Sequence, residues 1–85
     1  MASYKLVFKR SVKKDLRKID KAHLEAILNR IELLTDNPRP PGCKKLKGQE
    51  VYRVRQGNYR IVYEIIDDRL VVIVVAIGSR GRVDL

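Results

Sequence analysis

Hydrophobic and polar positions along the chain change their period twice. Residues 4–8 alternate loosely and have the β-branched and aromatic composition of a strand. Val12, Leu16 and Ile19 then repeat at i, i+4 and i+7, which predicts a helix with one apolar stripe and a charged remainder facing water. The chain therefore begins with a short strand followed by an amphipathic helix.

A second helical pattern follows, and Asp20 is its candidate N-cap because a short acceptor side chain suits that position. Five aliphatic residues hold the helical spacing and are expected on its buried face: Leu24, Ile27, Leu28, Ile31 and Leu34. Asn37 ends the helix, because the residue before Pro38 avoids helical backbone angles.

The second half of the chain has the pattern of strands. Residues 51–63, VYRVRQGNYRIVY, read as two strands joined at Gln56-Gly57-Asn58. Asp67 and Asp68 supply a turn before residues 70–77, which are all apolar. A strand without polar residues on either face should be central and covered on both sides for most of its length. The element order β-α-α-β-β-β predicts a single α+β domain over residues 1–85, with two helices on one face of a four-stranded sheet.

Arginine is concentrated on this hairpin. Alternation places Arg53 and Arg55 on one face of the first strand, with Tyr52 and Val54 on the other, and Arg60 opens the second strand. Guanidinium groups held together repel each other unless an anion lies between them, and their planar fork of donors matches phosphate. A phosphate-rich partner is the first hypothesis, and a solvated basic face is the alternative.

Composition strengthens the case for an anionic partner. The chain has 85 residues and a net charge of +9, which produces a field that attracts nucleic acid or acidic surfaces. The single cysteine excludes an internal disulfide, and no export signal is evident at the N-terminus, so we expect a cytoplasmic protein. The longest apolar run is too short to span a bilayer, and no membrane partner is expected.

Several motifs occur together in a recognisable order. A basic Y-R-V-R strand, a glycine-containing turn and Y-R-I-V-Y are followed by Asp67-Asp68 and a long apolar strand ending in Ile77-Gly78. Residues 37–40 (NPRP) and 45–48 (KLKG) precede them. Over nearly its whole length the chain resembles the RelE/ParE superfamily of bacterial and archaeal toxins. The resemblance implies a mostly antiparallel sheet with the last strand beside the first, and substrate on the concave face opposite the helices.

The resemblance also implies an activity. RelE-type toxins are metal-independent endoribonucleases that enter the A site of the small ribosomal subunit and cut mRNA there. The ribose 2′-OH attacks the adjacent phosphate and leaves a 2′,3′-cyclic phosphate and a 5′-OH. No cofactor is required. Four positions of this chain match the basic catalytic positions of the family: Arg53, Arg55, Arg60 and Arg80. Four further cations are expected to contact RNA: Lys44, Lys45, Lys47 and Arg82, the last by a looser correspondence.

Two departures from the family pattern affect the expected chemistry. Many relatives carry lysine on the hairpin, which can lose a proton and serve as a base, whereas arginine is a poor base. The tail lacks the usual terminal tyrosine, and Asp84 stands near its position as a candidate replacement base. Tyr52 and Tyr63 are expected in or near the core. For Tyr59 two roles stay open: stacking on a nucleobase and packing in the core.

Two other functions stay open. ParE-type members of the superfamily share the fold but inhibit DNA gyrase, and a degenerate homologue would only bind RNA or an antitoxin. For the toxin hypothesis the implied partners are the ribosome with its mRNA and a small, acidic, RelB-like antitoxin. Reduced activity caused by the divergent tail also remains open, as does the oligomeric state.

Overall fold

A sheet of five strands carries two helices on one face in the computed structural model, which describes residues 3–46 and 50–79. The elements follow in the order β1 (Lys5–Phe8), α1 (Val12–Arg17), α2 (Lys21–Leu33), β2 (Lys44–Lys45), β3 (Val51–Gln56), β4 (Tyr59–Ile66) and β5 (Val71–Ser79). A 3-10 turn at Asp67–Arg69 joins β4 to β5. The spatial order is β1-β5-β4-β3-β2. The α+β class and the placement of the last long strand beside the first are confirmed.

The prediction of four strands was one strand short. Strand β2 has only two residues, and it pairs antiparallel with β3 at the edge of the sheet. Two lysines give no alternation of polar and apolar positions, so the sequence pattern does not indicate this strand. Only β1 runs parallel to its neighbour β5, and the remaining pairs of the described sheet are antiparallel.

The core lies between the two helices and the covered face of the sheet. Val12 of α1 and Ile27 and Ile31 of α2 are fully buried against strand residues. The strands contribute a matching apolar layer: Tyr52, Val54, Ile61, Tyr63, Ile65, Val72, Val74 and Ile77. Leu28 was predicted to be buried but is 39% exposed, because it lies at the margin of the helical stripe. Within the described ranges, neither helix has the length and apolar character needed to cross a membrane.

Strand β5 is central but is not covered on both faces. Val72 and Val74 are buried against the helices, whereas Val71 and Ile73 face the other way and stay half-buried. The prediction of two covered faces was therefore wrong, because helices pack on one side only. The β4–β5 register shifts between Val62 and Tyr63, a local irregularity of the kind that bends a strand.

Two backbone positions with positive φ shape the connections. Gly57 has a φ of +60° at the first central position of the β3–β4 hairpin, where type II′ turns take glycine. Leu70 has a φ of 54° immediately before β5, a left-handed conformation that is costly for a side chain with a Cβ atom. Asp20 has the extended backbone of an N-cap as predicted, but its side chain makes no cap hydrogen bond.

Candidate functional site

The hairpin arginines lie together on the face of the sheet that the helices leave open. In the β3–β4 register Arg55 is directly opposite Arg60, and Arg53 is opposite Val62. Residues opposite each other in an antiparallel pair point to the same face, and their Cβ atoms lie about 5 Å apart. The prediction that Arg53 and Arg55 share a face away from Tyr52 is confirmed, and the register adds Arg60 to that face.

The two lysines of β2 have different surroundings. Lys44 is the register partner of Arg53, which places it on the open face, whereas Lys45 is the partner of Tyr52. The Lys45 ammonium donates to Glu50 Oε1 at 3.2 Å, away from the arginines. The open face thus carries a set of cations that we call the basic row: Lys44, Arg53, Arg55 and Arg60.

The basic row lacks internal compensation for its charge. In the described residues none of its members forms a salt bridge, and the buried Nε atom of Arg60 has no hydrogen-bond partner. Like charges directly opposite each other destabilise a sheet. Arg60 is flanked on the far side by Gly78, its partner in β5, which adds no side chain beside the guanidinium. The guanidinium groups without salt bridges leave hydrogen-bond donors that an anion can use.

Acidic groups gather at the other end of the sheet. Four carboxylates line a cleft of about 430 Å³ there: Glu50, Glu64, Asp67 and Asp68. Arg39 binds Asp67 with two hydrogen bonds of 2.9 and 3.2 Å, and its guanidinium lies 5.1 Å from the centre of the Tyr52 ring. The hydrogen bonds from Arg39 hold the pKa of Asp67 below its ordinary value. Donation from Tyr52 and Lys45 likewise lowers the pKa of Glu50.

This segregation of charge focuses the positive field at the hairpin end of the open face. Arg39 is neutralised by Asp67 and Glu50, and it ties the loop after α2 to the β4–β5 connection. Sequence reasoning counted Arg39 only as part of a motif and missed its structural role. The basic row keeps its full charge where no carboxylate is paired with it, and clefts of one sign attract counter-charged ligands.

Aromatic side chains lie on the helix-covered side. Tyr52 and Tyr63 are buried as predicted, with ring centres 6.0 Å apart. The Tyr63 hydroxyl donates to the Pro38 carbonyl at 2.6 Å, and burial raises the pKa of this phenol, which keeps it a donor. Tyr59 is half-buried beside His23, with ring centres 5.6 Å apart. This placement answers the question about Tyr59: it packs on the helix side rather than beside the basic row.

Four further residues named from the sequence fall outside the described ranges: Lys47, Arg80, Arg82 and Asp84. Strand β5 ends at Ser79, so Arg80 follows directly after the strand that carries Gly78.

Comparison with known proteins agrees with the fold. The sequence profile of the family described as the ParE toxin of the type II toxin–antitoxin system parDE matches residues 6–84. The chain belongs to the RelE/ParE superfamily of toxins. It is 31% identical over 83 residues to the mRNA interferase toxin RelE of Escherichia coli strain K12, an alignment that covers 94% of this chain and 86% of the relative.

Archaeal relatives are similar to this toxin as well. A putative RelE toxin of Methanocaldococcus jannaschii is 42% identical over 67 residues, covering 73% of this chain and 74% of the relative. In the crystal structure of an archaeal RelE–RelB complex from Pyrococcus horikoshii, a chain superposes with a TM-score of 0.83 at 29% identity, and 95% and 99% of the two chains are covered. The protein is therefore a RelE-like toxin of a toxin–antitoxin system.

Proposed function

We propose that this toxin is a ribosome-dependent mRNA endonuclease that cuts in the A site. The observation that carries the proposal is the basic row, in which Arg55 and Arg60 face each other on the open side of the sheet without anionic partners among the described residues. A similar toxin with 31% identity is named an mRNA interferase, which supports an endoribonuclease. No metal or cofactor is part of the proposed reaction.

The proposed reaction begins with attack of a ribose 2′-oxygen on the neighbouring phosphorus. The 2′-OH loses its proton as the new P–O2′ bond forms, and the leaving 5′-oxygen gains one proton as the P–O5′ bond breaks. The products are a 2′,3′-cyclic phosphate and a 5′-OH. Negative charge on the phosphoryl oxygens grows in the transition state. In the proposed mechanism Arg55 and Arg60 bind that charge more strongly than the charge of the starting diester, and this difference lowers the barrier. Removal of one such donor typically costs a factor of about 10² to 10³ in rate.

The guanidinium groups of the basic row are assigned to electrostatic clamping and not to proton transfer, because arginine is a poor base. We assign Arg80 to a second clamp, since in the sequence it follows the strand whose Gly78 pairs with Arg60. Lys47 and Arg82 are assigned to contacts with RNA, and Asp84 is a candidate proton acceptor.

The proposal includes an antitoxin partner and a cytoplasmic location. The similar chain from Pyrococcus horikoshii was solved as a complex of RelE with RelB. We propose that a RelB-like antitoxin binds this toxin, and that an acidic surface on the antitoxin neutralises part of the charge of +9. The ribosome and its mRNA, both present in the cytoplasm, are the proposed targets.

A second candidate function rests on the family match. The matching profile is that of ParE toxins, so inhibition of DNA gyrase is the alternative. The two functions place different demands on the basic row. A nuclease needs the Arg60 guanidinium for chemistry, whereas a gyrase inhibitor needs a protein-binding surface and induces DNA damage signalling. A homologue without either activity would leave growth unchanged.

Primer extension on a reporter mRNA after induction of the toxin in cells tests the proposal. We expect new 5′ ends confined to translated regions and in phase with codons, and none with Arg60→Ala produced at the same level. Arg10→Ala is a matched control that removes an exposed cation outside the basic row. Growth arrest without new RNA ends but with altered plasmid topology would favour gyrase, and unimpaired growth would favour an inactive homologue.

A further inference from the structure

The end of β5 extends beyond its neighbouring strand. Strand β1 stops at Phe8 opposite Val74, whereas β5 continues to Ser79. A strand edge without a neighbour leaves backbone N–H groups that need another acceptor. Asp15 of α1 supplies one, because its Oδ2 atom accepts a hydrogen bond from the Ile77 N–H at 3.1 Å. This half-buried contact joins residues that are 62 positions apart in the sequence.

The contact lies close to the basic row. Ile77 precedes Gly78, and Gly78 is the register partner of Arg60. On the helix side a cavity of about 550 Å³ opens beside this end of the strand, and Asp15, Tyr59 and Ser79 are among its lining residues. Ile77 itself is buried in the core, whereas Gly78 and Ser79 line this cavity and are only half-buried. The Asp15 hydrogen bond is therefore the main polar connection, in the described residues, between α1 and the strand end.

The β4–β5 irregularity makes this connection more important. The pairing slips between Val62 and Tyr63, so the last residues of β5 follow a different register from the rest of the strand. A bulge bends its strand and disrupts the ladder locally. The strand end therefore needs its own restraint, which β4 provides on one edge and Asp15 on the other.

We propose that Asp15 is a positioning residue of the active site. By accepting the Ile77 N–H it fixes the end of β5 against β4, and it thereby holds Gly78 beside its register partner Arg60. The consequence for rate rests on the proposed nuclease function. Asp15 does not touch the substrate, so its loss reduces turnover through geometry and leaves binding of the ribosome intact.

The size of the effect follows from the sensitivity of catalysis to position. Displacement of a catalytic group by about 1 Å costs up to about 10²-fold in rate. We expect Asp15→Ala to lower the maximal rate of cleavage by about 10- to 100-fold, with little change in the toxin concentration that gives half-maximal rate. Asp15→Asn retains a carbonyl acceptor at the same position, so we expect it to stay within about threefold of the wild type.

The experiment uses the full chain and two readouts. Amide hydrogen exchange followed by NMR reports whether the Ile77 N–H is held, independently of any activity. Single-turnover cleavage on ribosomes programmed with mRNA separates the maximal rate from binding. Glu25→Ala is the control, because it removes one exposed carboxylate from α2 and leaves the strand end untouched. Thermal unfolding of each variant shows that it is folded before cleavage is compared.

The inference is supported if the Ile77 amide hydrogen exchanges at least about tenfold faster in Asp15→Ala and the maximal rate of mRNA cleavage falls. In Asp15→Asn both quantities should return to near the wild-type values, because the restored acceptor restores the geometry. Equal loss in both variants would overturn it, because charge and not the acceptor would then matter. Unchanged exchange of Ile77 in Asp15→Ala would also overturn it. Absence of cleavage by the wild type would refute the nuclease function alone, and the exchange of Ile77 would then decide whether Asp15 holds the strand end.

Discussion

The cross-strand pair Arg55–Arg60 implies a conflict between stability and activity. The Cβ atoms of directly opposite residues lie about 5 Å apart, and we take a separation of about 6 Å for the two guanidinium groups. Coulomb's law gives a repulsion of about 0.7 kcal/mol at a dielectric constant of 80 and about 1.4 kcal/mol at 40. Salt at about 0.1 M, with a Debye length of about 10 Å, removes nearly half of this energy. Replacing one guanidinium with an apolar side chain of similar length should therefore stabilise the fold.

The perturbation is Arg60→Met, which keeps most of the apolar stem and removes the charge. It also removes the buried Nε atom, which has no partner among the described residues. We expect the free energy of unfolding to rise by about 0.5 to 1.5 kcal/mol at low salt, and to rise by less at higher salt because the repulsion is screened. Cleavage of mRNA should fall by a factor of about 10² to 10³.

Urea titration is the assay, because urea does not change ionic strength as guanidinium chloride does. A double-mutant cycle with Arg55→Met isolates the coupling energy between the two positions. Arg10→Met removes one exposed charge outside the basic row and controls for the change in net charge. A coupling energy of zero, or a loss of stability in Arg60→Met larger than the control, would refute the reasoning.

Three further predictions concern other parts of the molecule. Lys44→Ala should weaken RNA binding and reduce by about 1 the slope of the logarithm of the RNA-binding constant against log salt concentration, while Lys45→Ala should leave this slope unchanged. Filter binding at several salt concentrations compares the two variants. Leu70→Asn should raise the free energy of unfolding by up to about 1 kcal/mol, because asparagine adopts the left-handed conformation more readily; a lower urea midpoint would count against this reasoning. Asp67 has a lowered pKa in the folded state, so its contribution to stability is present above about pH 4 and is lost as the pH falls through that lowered value. Arg39→Met should weaken this loss on acidification, and urea titrations between about pH 2 and 7 measure it.

The sequence predicted the fold class well because the helices and long strands bury one regular face each. Apolar residues at helical spacing placed α1 and α2, and alternation placed β3 and β4. The two-residue strand β2 was not predicted, because Lys44 and Lys45 show no alternation of polar and apolar positions. The sequence did not predict the half-exposed face of β5, because a run of aliphatic residues has the same pattern whether one face of the strand or both are covered.

The sequence predicted the arrangement of the described hairpin arginines only in part. Period-two alternation was sufficient to put Arg53 and Arg55 on one face. The placement of Arg60 opposite Arg55, and of Lys44 opposite Arg53, depends on strand register, which the turn at Gly57 and the β2–β3 pairing fix. The contact between Asp15 and Ile77 depends on tertiary packing, and no local pattern indicates it.

Cleavage of mRNA by the purified toxin on programmed ribosomes tests the central claim most directly. The account predicts that the wild type cuts mRNA in the A site and leaves a 2′,3′-cyclic phosphate. It predicts that Arg60→Ala is slower by at least about 10², and that Arg10→Ala retains the full rate. Cleavage that persists in Arg60→Ala, or a wild type that leaves ribosome-bound mRNA intact, would contradict the assignment of the basic row as a phosphate clamp for this reaction.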